Sequence, residues 1–171
     1  MAATGISVEA EAEKQLRSVV ALAGAGLLLR GRIREGFALI LASQALYRTQ
    51  LLQVQEALEH GDLEEAAWLA AGYAHHPNLE KRRPLPPPER GWRPLLAVME
   101  REGVSRDDPK GAALYAMAYT AHLGELTALL AVYDHKGIGP TLDLAQAILD
   151  NRQTAFRYGL HTVSGPLGKS G

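Results

Sequence analysis

The 171-residue sequence contains no cysteine. Disulfides, thiolate zinc sites and cysteine nucleophiles are therefore excluded, and the redox compartment leaves no mark on the composition. A cytoplasmic location is the default expectation. Aromatic residues are scarce, with two Trp and two Phe, so a core has to be assembled mainly from Ala and Leu. An excess of charge of one sign is lacking too: 18 Lys and Arg against 19 Asp and Glu give a formal net charge of -1. Affinity for nucleic acid or an anionic membrane would have to come from local clustering.

Long apolar runs are also missing. Val19 to Leu29 and Phe37 to Tyr47 each supply about a dozen positions, against roughly 20 for a membrane-spanning helix. The N-terminal MAATGISVEAEAEK carries acids where a secretory signal would carry Lys or Arg. Neither an export signal nor a membrane partner is expected. No pair of alternating segments is separated by turn dipeptides, which argues against a sizeable β-sheet.

What is present is helical patterning. Ser7 is a candidate N-cap, followed by Glu9 and Glu11, which suit the positive end of a helix dipole. The first helix is expected to run from there to Leu29 or Arg30. Two glycines inside a helix each cost about 1 kcal/mol unless close packing compensates. Gly24 and Gly26 are therefore expected to press on the second helix or on a second copy of the chain. After the turn Gly31-Arg32-Ile33-Arg34-Glu35-Gly36, the second helix is expected to run from Gly36 to His60. It is apolar nearly all round to Ala45 and amphipathic beyond, with Tyr47, Leu51, Val54 and Leu58 on one face. Gly61 closes it, and Asp62 with Glu65 forms the capping-box spacing that opens a third helix through Trp68 to Ala74.

From His75 to Pro94, HHPNLEKRRPLPPPERGWRP has six prolines and no hydrophobic period. An extended strap, partly polyproline II, is expected. A short helix around Leu95 to Glu102, a turn at Gly103 and a start at Asp107-Asp108-Pro109 follow. A long helix from Gly111 to Tyr133 comes next, then a last helix opened by Gly139-Pro140-Thr141, striped by Leu142, Ala145, Ile148 and Leu149. The tail VSGPLGKSG is expected to fray. The expected fold is all-α with about six helices. An N-terminal helical hairpin plus helix spans 1–74, a proline-rich basic strap 75–94, and a C-terminal segment containing a helical pair 95–171, all packed as one compact unit.

VALAGAGLLLRGRIREGFALILASQAL, at 20–46, resembles a tetratricopeptide repeat. Gly24 and Leu27 fall in its first helix, Gly31 in its turn, and Gly36 where its second helix needs a small residue. GDLEEAAWLAAGYAHHPN, starting 30 residues after Gly31, resembles the second half of another such unit. The stretch LLLRGRIREGFALILASQALYRTQLL is also similar to the central hairpin of HEPN-type helical bundles, a class that includes ribonucleases acting through an Arg-x(4 to 6)-His motif. The counterpart here, Arg157-Tyr158-Gly159-Leu160-His161, has three intervening residues. This second resemblance implies RNA chemistry with Arg157 and His161 as site residues.

Catalytic constellations fail on spacing. GPLGKSG at 165–171 has Val163 where a phosphate-binding loop would place its first glycine. Ala23 to Gly26 mimics a dinucleotide turn, but Leu29 stands at the third glycine position and no βαβ pattern surrounds it. Glu56 with His60, and His122 with Glu125, each supply two ligands of the three or four that a metal site needs. Neither a metal nor another cofactor is expected. Tyr133-Asp134-His135-Lys136 are adjacent on a helix end and diverge by about 100° each. No Ser sits in a nucleophile-elbow motif, so no catalytic residue is assigned.

One charge pattern remains. Arg30, Arg32 and Arg34 mark the elbow of the hairpin, while Lys81, Arg82, Arg83, Arg90 and Arg93 accompany Trp92 in the strap. Arginine beside an aromatic is the chemistry of single-strand binding, though Glu80 and Glu89 dilute the patch. The expected function is that of a non-catalytic α-helical interaction or scaffold subunit of a larger assembly. It would bind another protein or itself through Gly24, Gly26, Tyr47, Leu51, Val54 and Leu58. The alternative is a nucleic-acid-binding helical subunit or atypical HEPN-like ribonuclease. That reading uses Arg30, Arg32, Arg34, Lys81, Arg82, Arg83, Arg90, Trp92, Arg93, Arg157 and His161.

Overall fold

A computed structural model describes residues 2–74 and 91–157, with side chains over 8–73 and 91–155. The described residues form eight helices and no strand: α1 Ala2–Leu29, α2 Ile33–Ala45, α3 Arg48–Glu59, α4 Leu63–Ala74, α5 Arg93–Glu102, α6 Pro109–Thr120, α7 Leu123–Lys136 and α8 Ile138–Arg157. The all-α expectation holds, but the count of about six does not.

The hairpin α1–α2 closes where the sequence places it. Gly31 takes a φ of 84°, and the Arg32 amide donates back to the Leu27 carbonyl at 2.9 Å. Left-handed glycine is the common way to satisfy the last carbonyls of a helix. Gly61, at φ 76°, ends α3 in the same manner, and Asp62 Oδ1 accepts the Glu65 amide at 3.0 Å to start α4. Between α1 and α2 the two backbones touch. A Cβ on Gly24 would lie 2.7 Å from the Gly36 carbonyl oxygen, and one on Gly36 would lie 2.9 Å from that of Gly24. Gly24 thus packs on α2 as expected. Gly26 does not, for a Cβ there would meet nothing within 4 Å.

Two helices expected to be continuous are broken. Between α2 and α3 the chain becomes extended at Leu46 and Tyr47, and between α6 and α7 at Ala121 and His122. No Gly or Pro marks either break. Each is held by side chains that take over the interrupted backbone bonding. At the first, the buried Arg17 of α1 donates from one guanidinium nitrogen to the Ser43 and Leu46 carbonyls, both at 3.0 Å, while Gln50 Oε1 accepts the Tyr47 amide at 2.9 Å. At the second, Trp92 Nε1 donates to the Ala121 carbonyl at 2.7 Å, Arg152 of α8 donates to the Thr120 carbonyl at 2.9 Å, and Glu125 Oε1 accepts the His122 amide at 2.9 Å. Cations at a helix C-terminus are favoured by the dipole as well as by the open carbonyls.

These correspondences follow one offset. Arg17, Leu46, Tyr47, Gln50 and the α4 start at Leu63 have counterparts 75 residues on, at Trp92, Ala121, His122, Glu125 and the α8 start at Ile138. His60 Nδ1 lies 2.7 Å from the Glu56 carbonyl, and His135 Nδ1, again 75 on, lies 2.9 Å from that of Ala131. Gly36 and Gly111 share the offset, and both meet a neighbouring backbone at the place of a Cβ. The described chain is therefore an internal repeat of four helices, α1–α4 and α5–α8. In each half the first helix packs on the second, and the fourth covers the second and third.

The halves share a core. One cluster of buried side chains joins Leu28, Phe37 and Ile40 to Trp92, Leu114, Met117, Leu129, Leu144 and Ile148. A second lies within the first half around Leu39, Leu46, Leu51 and Val54. Gly124 at the start of α7 lets that helix lie against α2, since a Cβ there would sit 2.6 Å from the Ile40 carbonyl oxygen.

Other boundaries move for local reasons. Arg93 and Pro94 open α5 rather than ending the strap, because proline suits the first turn of a helix. The last helix begins at Ile138, and Pro140 is accommodated in its first turn, where no amide is needed. The first begins at Ala2 instead of near Ser7, so the helix runs through Gly5 and Ser7 lies inside it. The expected C-terminal pair is a set of four helices. The rest of the strap, 75–90, and the tail 158–171 lie outside the described residues.

Candidate interaction surface

Most of the expected interaction face is consumed inside the chain. Leu51 and Val54 are fully buried in the N-terminal core, and Leu58 packs on the same cluster. Tyr47 alone of that set is exposed. The face between Tyr47 and Leu58 is where α3 meets α4 and α1, so it is not a free surface for self-association. An amphipathic stripe records burial and says nothing of which chain supplies the cover.

The expected nucleic-acid residues divide in three. Arg30, Arg32 and Arg34 are exposed on the α1–α2 elbow, and Arg93 is exposed at the start of α5. Trp92 is 7 % exposed with its Nε1 bonded to Ala121, so its ring has no face for a base. Lys81, Arg82, Arg83, Arg90 and His161 lie outside the described residues. Arg157 is described only as the last residue of α8.

The aromatic that does stand beside the elbow is Trp68. It is 72 % exposed, the most exposed of the large apolar side chains described. With Ala67 and Ala71 of α4 it faces Arg34, Glu35 and Ala38 of α2, and Arg32, across an open groove of about 270 Å³ that Glu64 also lines. Arg32 Nε donates to Glu35 Oε2 within this groove. The groove exists because α4 packs on α2 through small residues: alanines at the contact bring the helices close and leave Trp68 nothing to lie under. The sequence signal was the apolar Trp at the outward register of α4, opposite the buried Ala66 and Ala70.

A second groove, of about 410 Å³, runs between α1 and α7 and is lined by Glu13, Lys14, Arg17, Gln44, Thr127 and Asp134 among others. Gln44 Nε2 donates to Thr127 Oγ1 at 2.7 Å across it. Its charges are mixed, and Arg17 is committed to the α2 carbonyls. On α6, the rings of Tyr115 and Tyr119 meet at a tilt of 52° with centroids 5.0 Å apart, and Arg106 lies 5.7 Å over Tyr115. The Tyr119 hydrogen bond, and then Arg106, hold the Tyr115 phenol below its ordinary pKa, while the same bond holds Tyr119 above it.

No protein-family model, curated protein or solved structure matches this chain.

The residues weighed for chemistry have structural occupations. His122 and Glu125 meet through a backbone cap. Tyr133 donates to Glu102 at 2.7 Å and accepts from Arg101 at 3.3 Å. Among the described residues no group of three or more His, Cys, Asp or Glu gathers where it could hold a metal ion. No described helix is long and apolar enough to cross a membrane.

Proposed function

We propose that the chain is a non-catalytic helical interaction subunit that docks a protein partner in the groove between α2 and α4. The observation that carries this is Trp68, exposed beside Arg32 and Arg34. Tryptophan and arginine dominate the energetics of protein interfaces, and here the two stand side by side on one groove. The groove offers an apolar floor of Ala38, Ala67 and Ala71, with both signs of charge around it. It suits a partner segment that lays an apolar side chain against Trp68, an acid toward the elbow arginines and a base toward Glu64.

Truncating such an anchor typically costs at least about 2 kcal/mol, or roughly thirtyfold in Kd. Proteins that co-purify with the native chain should be identified, purified and titrated against wild type and Trp68→Ala. The expected result is a thirtyfold loss with unchanged helical circular dichroism. Equal affinities would overturn the assignment of this groove.

Single-strand nucleic-acid binding is the second reading, favoured by the same indole beside arginines. Glu35 and Glu64 weigh against it, because phosphate tracking disfavours acids in the track. If wild type binds labelled single-stranded RNA or DNA at low ionic strength, and Trp68→Ala loses several-fold, that reading takes precedence. Absence of binding removes it.

A further inference from the structure

The outer face of α1 goes beyond the groove reading and is independent of it. From Val19 to Leu29 this helix has eleven consecutive residues without a polar side chain, yet the rest of the described chain covers one side. Leu16, Val20, Ala21, Ala25, Leu27 and Leu28 face the core. Val8, Ala12, Gln15, Val19, Gly26 and Leu29 do not, and Leu22, on the same line, is half-buried and packs partly on the core; Val8, Val19 and Leu29 are 63, 45 and 40 % exposed. Their spacing alternates four and three residues, which is the seam of a two-stranded coiled coil. A helix apolar all round is a buried helix, and this one is half covered. Gly26, whose missing Cβ would meet nothing in its own chain, lies in the seam and admits a close neighbour.

Charge indicates what the neighbour is. The exposed Glu9 and Glu11 flank the N-terminal end of the seam, and the exposed Arg30 flanks its C-terminal end. A second copy of α1 running antiparallel brings Glu9 opposite Arg30 twice, with Val19 at the two-fold axis and Ala12 near Gly26. A parallel copy would set acid on acid and base on base. The antiparallel pair also opposes the two helix dipoles, and it is self-complementary as a two-fold dimer requires.

We propose that two copies of this chain associate through the outer face of α1 as an antiparallel pair centred on Val19. The seam from Val8 to Leu29 is about 33 Å long at the helical rise, and it leaves the Trp68 groove on α2 and α4 outside the contact. Light scattering of the purified protein should give twice the chain mass, and Val19→Glu should raise the dimer Kd by at least roughly tenfold without loss of helical circular dichroism. A monomer at every concentration, or a Val19→Glu variant that stays folded and dimeric, would overturn the proposal.

Orientation has its own test, because the chain holds no native cysteine. Val8→Cys and a mass-tagged Leu29→Cys, mixed and oxidised, should cross-link to each other and not to themselves. Self-linked Leu29→Cys pairs would mean a parallel arrangement and would refute the antiparallel pair. Arg30→Glu should weaken the dimer, and Glu9→Arg added in the same chain should restore it; failure to restore would overturn the antiparallel charge pairing.

Discussion

Gly24 and Gly72 both lie within helices, yet substitution acts on them in opposite directions. A side chain at Gly24 must enter the α2 backbone, so Gly24→Leu should destabilise by about 1 to 3 kcal/mol through overpacking. Gly72 is exposed, with nothing within 4 Å of a Cβ. Gly72→Ala should therefore stabilise by about 0.5 to 1 kcal/mol, the helix propensity that glycine forgoes. Urea denaturation of the two variants checks both signs. Tyr115 should be the first of the Tyr115–Tyr119 pair to ionise, since the Tyr119 hydrogen bond and the Arg106 charge favour its phenolate. Ultraviolet titration should show that early phenolate move to higher pH in Tyr119→Phe and, to a smaller extent, in Arg106→Ala.

Elements were readable wherever a residue type does one thing in every context. Gly31, Gly61, Gly103 and Gly137 take positive φ at helix ends, and Pro109 opens α6 behind Asp108. The breaks at Tyr47 and His122 were not readable, because local propensity there favours helix and the compensation arrives from elsewhere. Arg17 reaches over from 29 residues upstream of Leu46. Arg17→Met should cost roughly 2 to 3 kcal/mol, as two buried carbonyls lose a charged donor. The second break rests on the Glu125–Arg152 pair, at 2.9 Å with Glu125 almost fully buried. Glu125→Leu alone should destabilise by about 3 kcal/mol by stranding Arg152, and adding Arg152→Met should recover only part of that loss, since the His122 amide and the Thr120 carbonyl still lose their partners. A double-mutant cycle in urea measures the coupling; additive losses would mean the pair does not hold α8 to the α6–α7 corner.

At the scale of the molecule the repeat and the shared core govern behaviour. Each half carries one tryptophan, Trp68 in the first and Trp92 in the second. Because α7 lies against α1 and α2, the halves should unfold together. Single-tryptophan variants made with Trp92→Phe and Trp68→Phe should report coincident urea midpoints when each is compared with its own circular dichroism. Emission should be solvent-like from Trp68 and blue-shifted from Trp92. Separate fluorescence and circular dichroism transitions within either variant would show that the halves are independent.

The sequence by itself determined the helical class, the elbow at Gly31, the cap at Asp62, the helix start at Pro109, and the pressure of Gly24 on a neighbour. These follow from backbone sterics and hydrophobic period, which act within a few residues. Tertiary structure alone decided where the long helices break, which Trp is buried, and that Leu51 and Val54 cover their own chain. It also decided that two halves of little sequence identity, matching at Gly36 and Gly111, Leu51 and Leu126, and His60 and His135, share one architecture. The physical reason is that burial and capping are satisfied by whichever side chain arrives in space, so Arg17 and Trp92 can fill the same post without resembling each other.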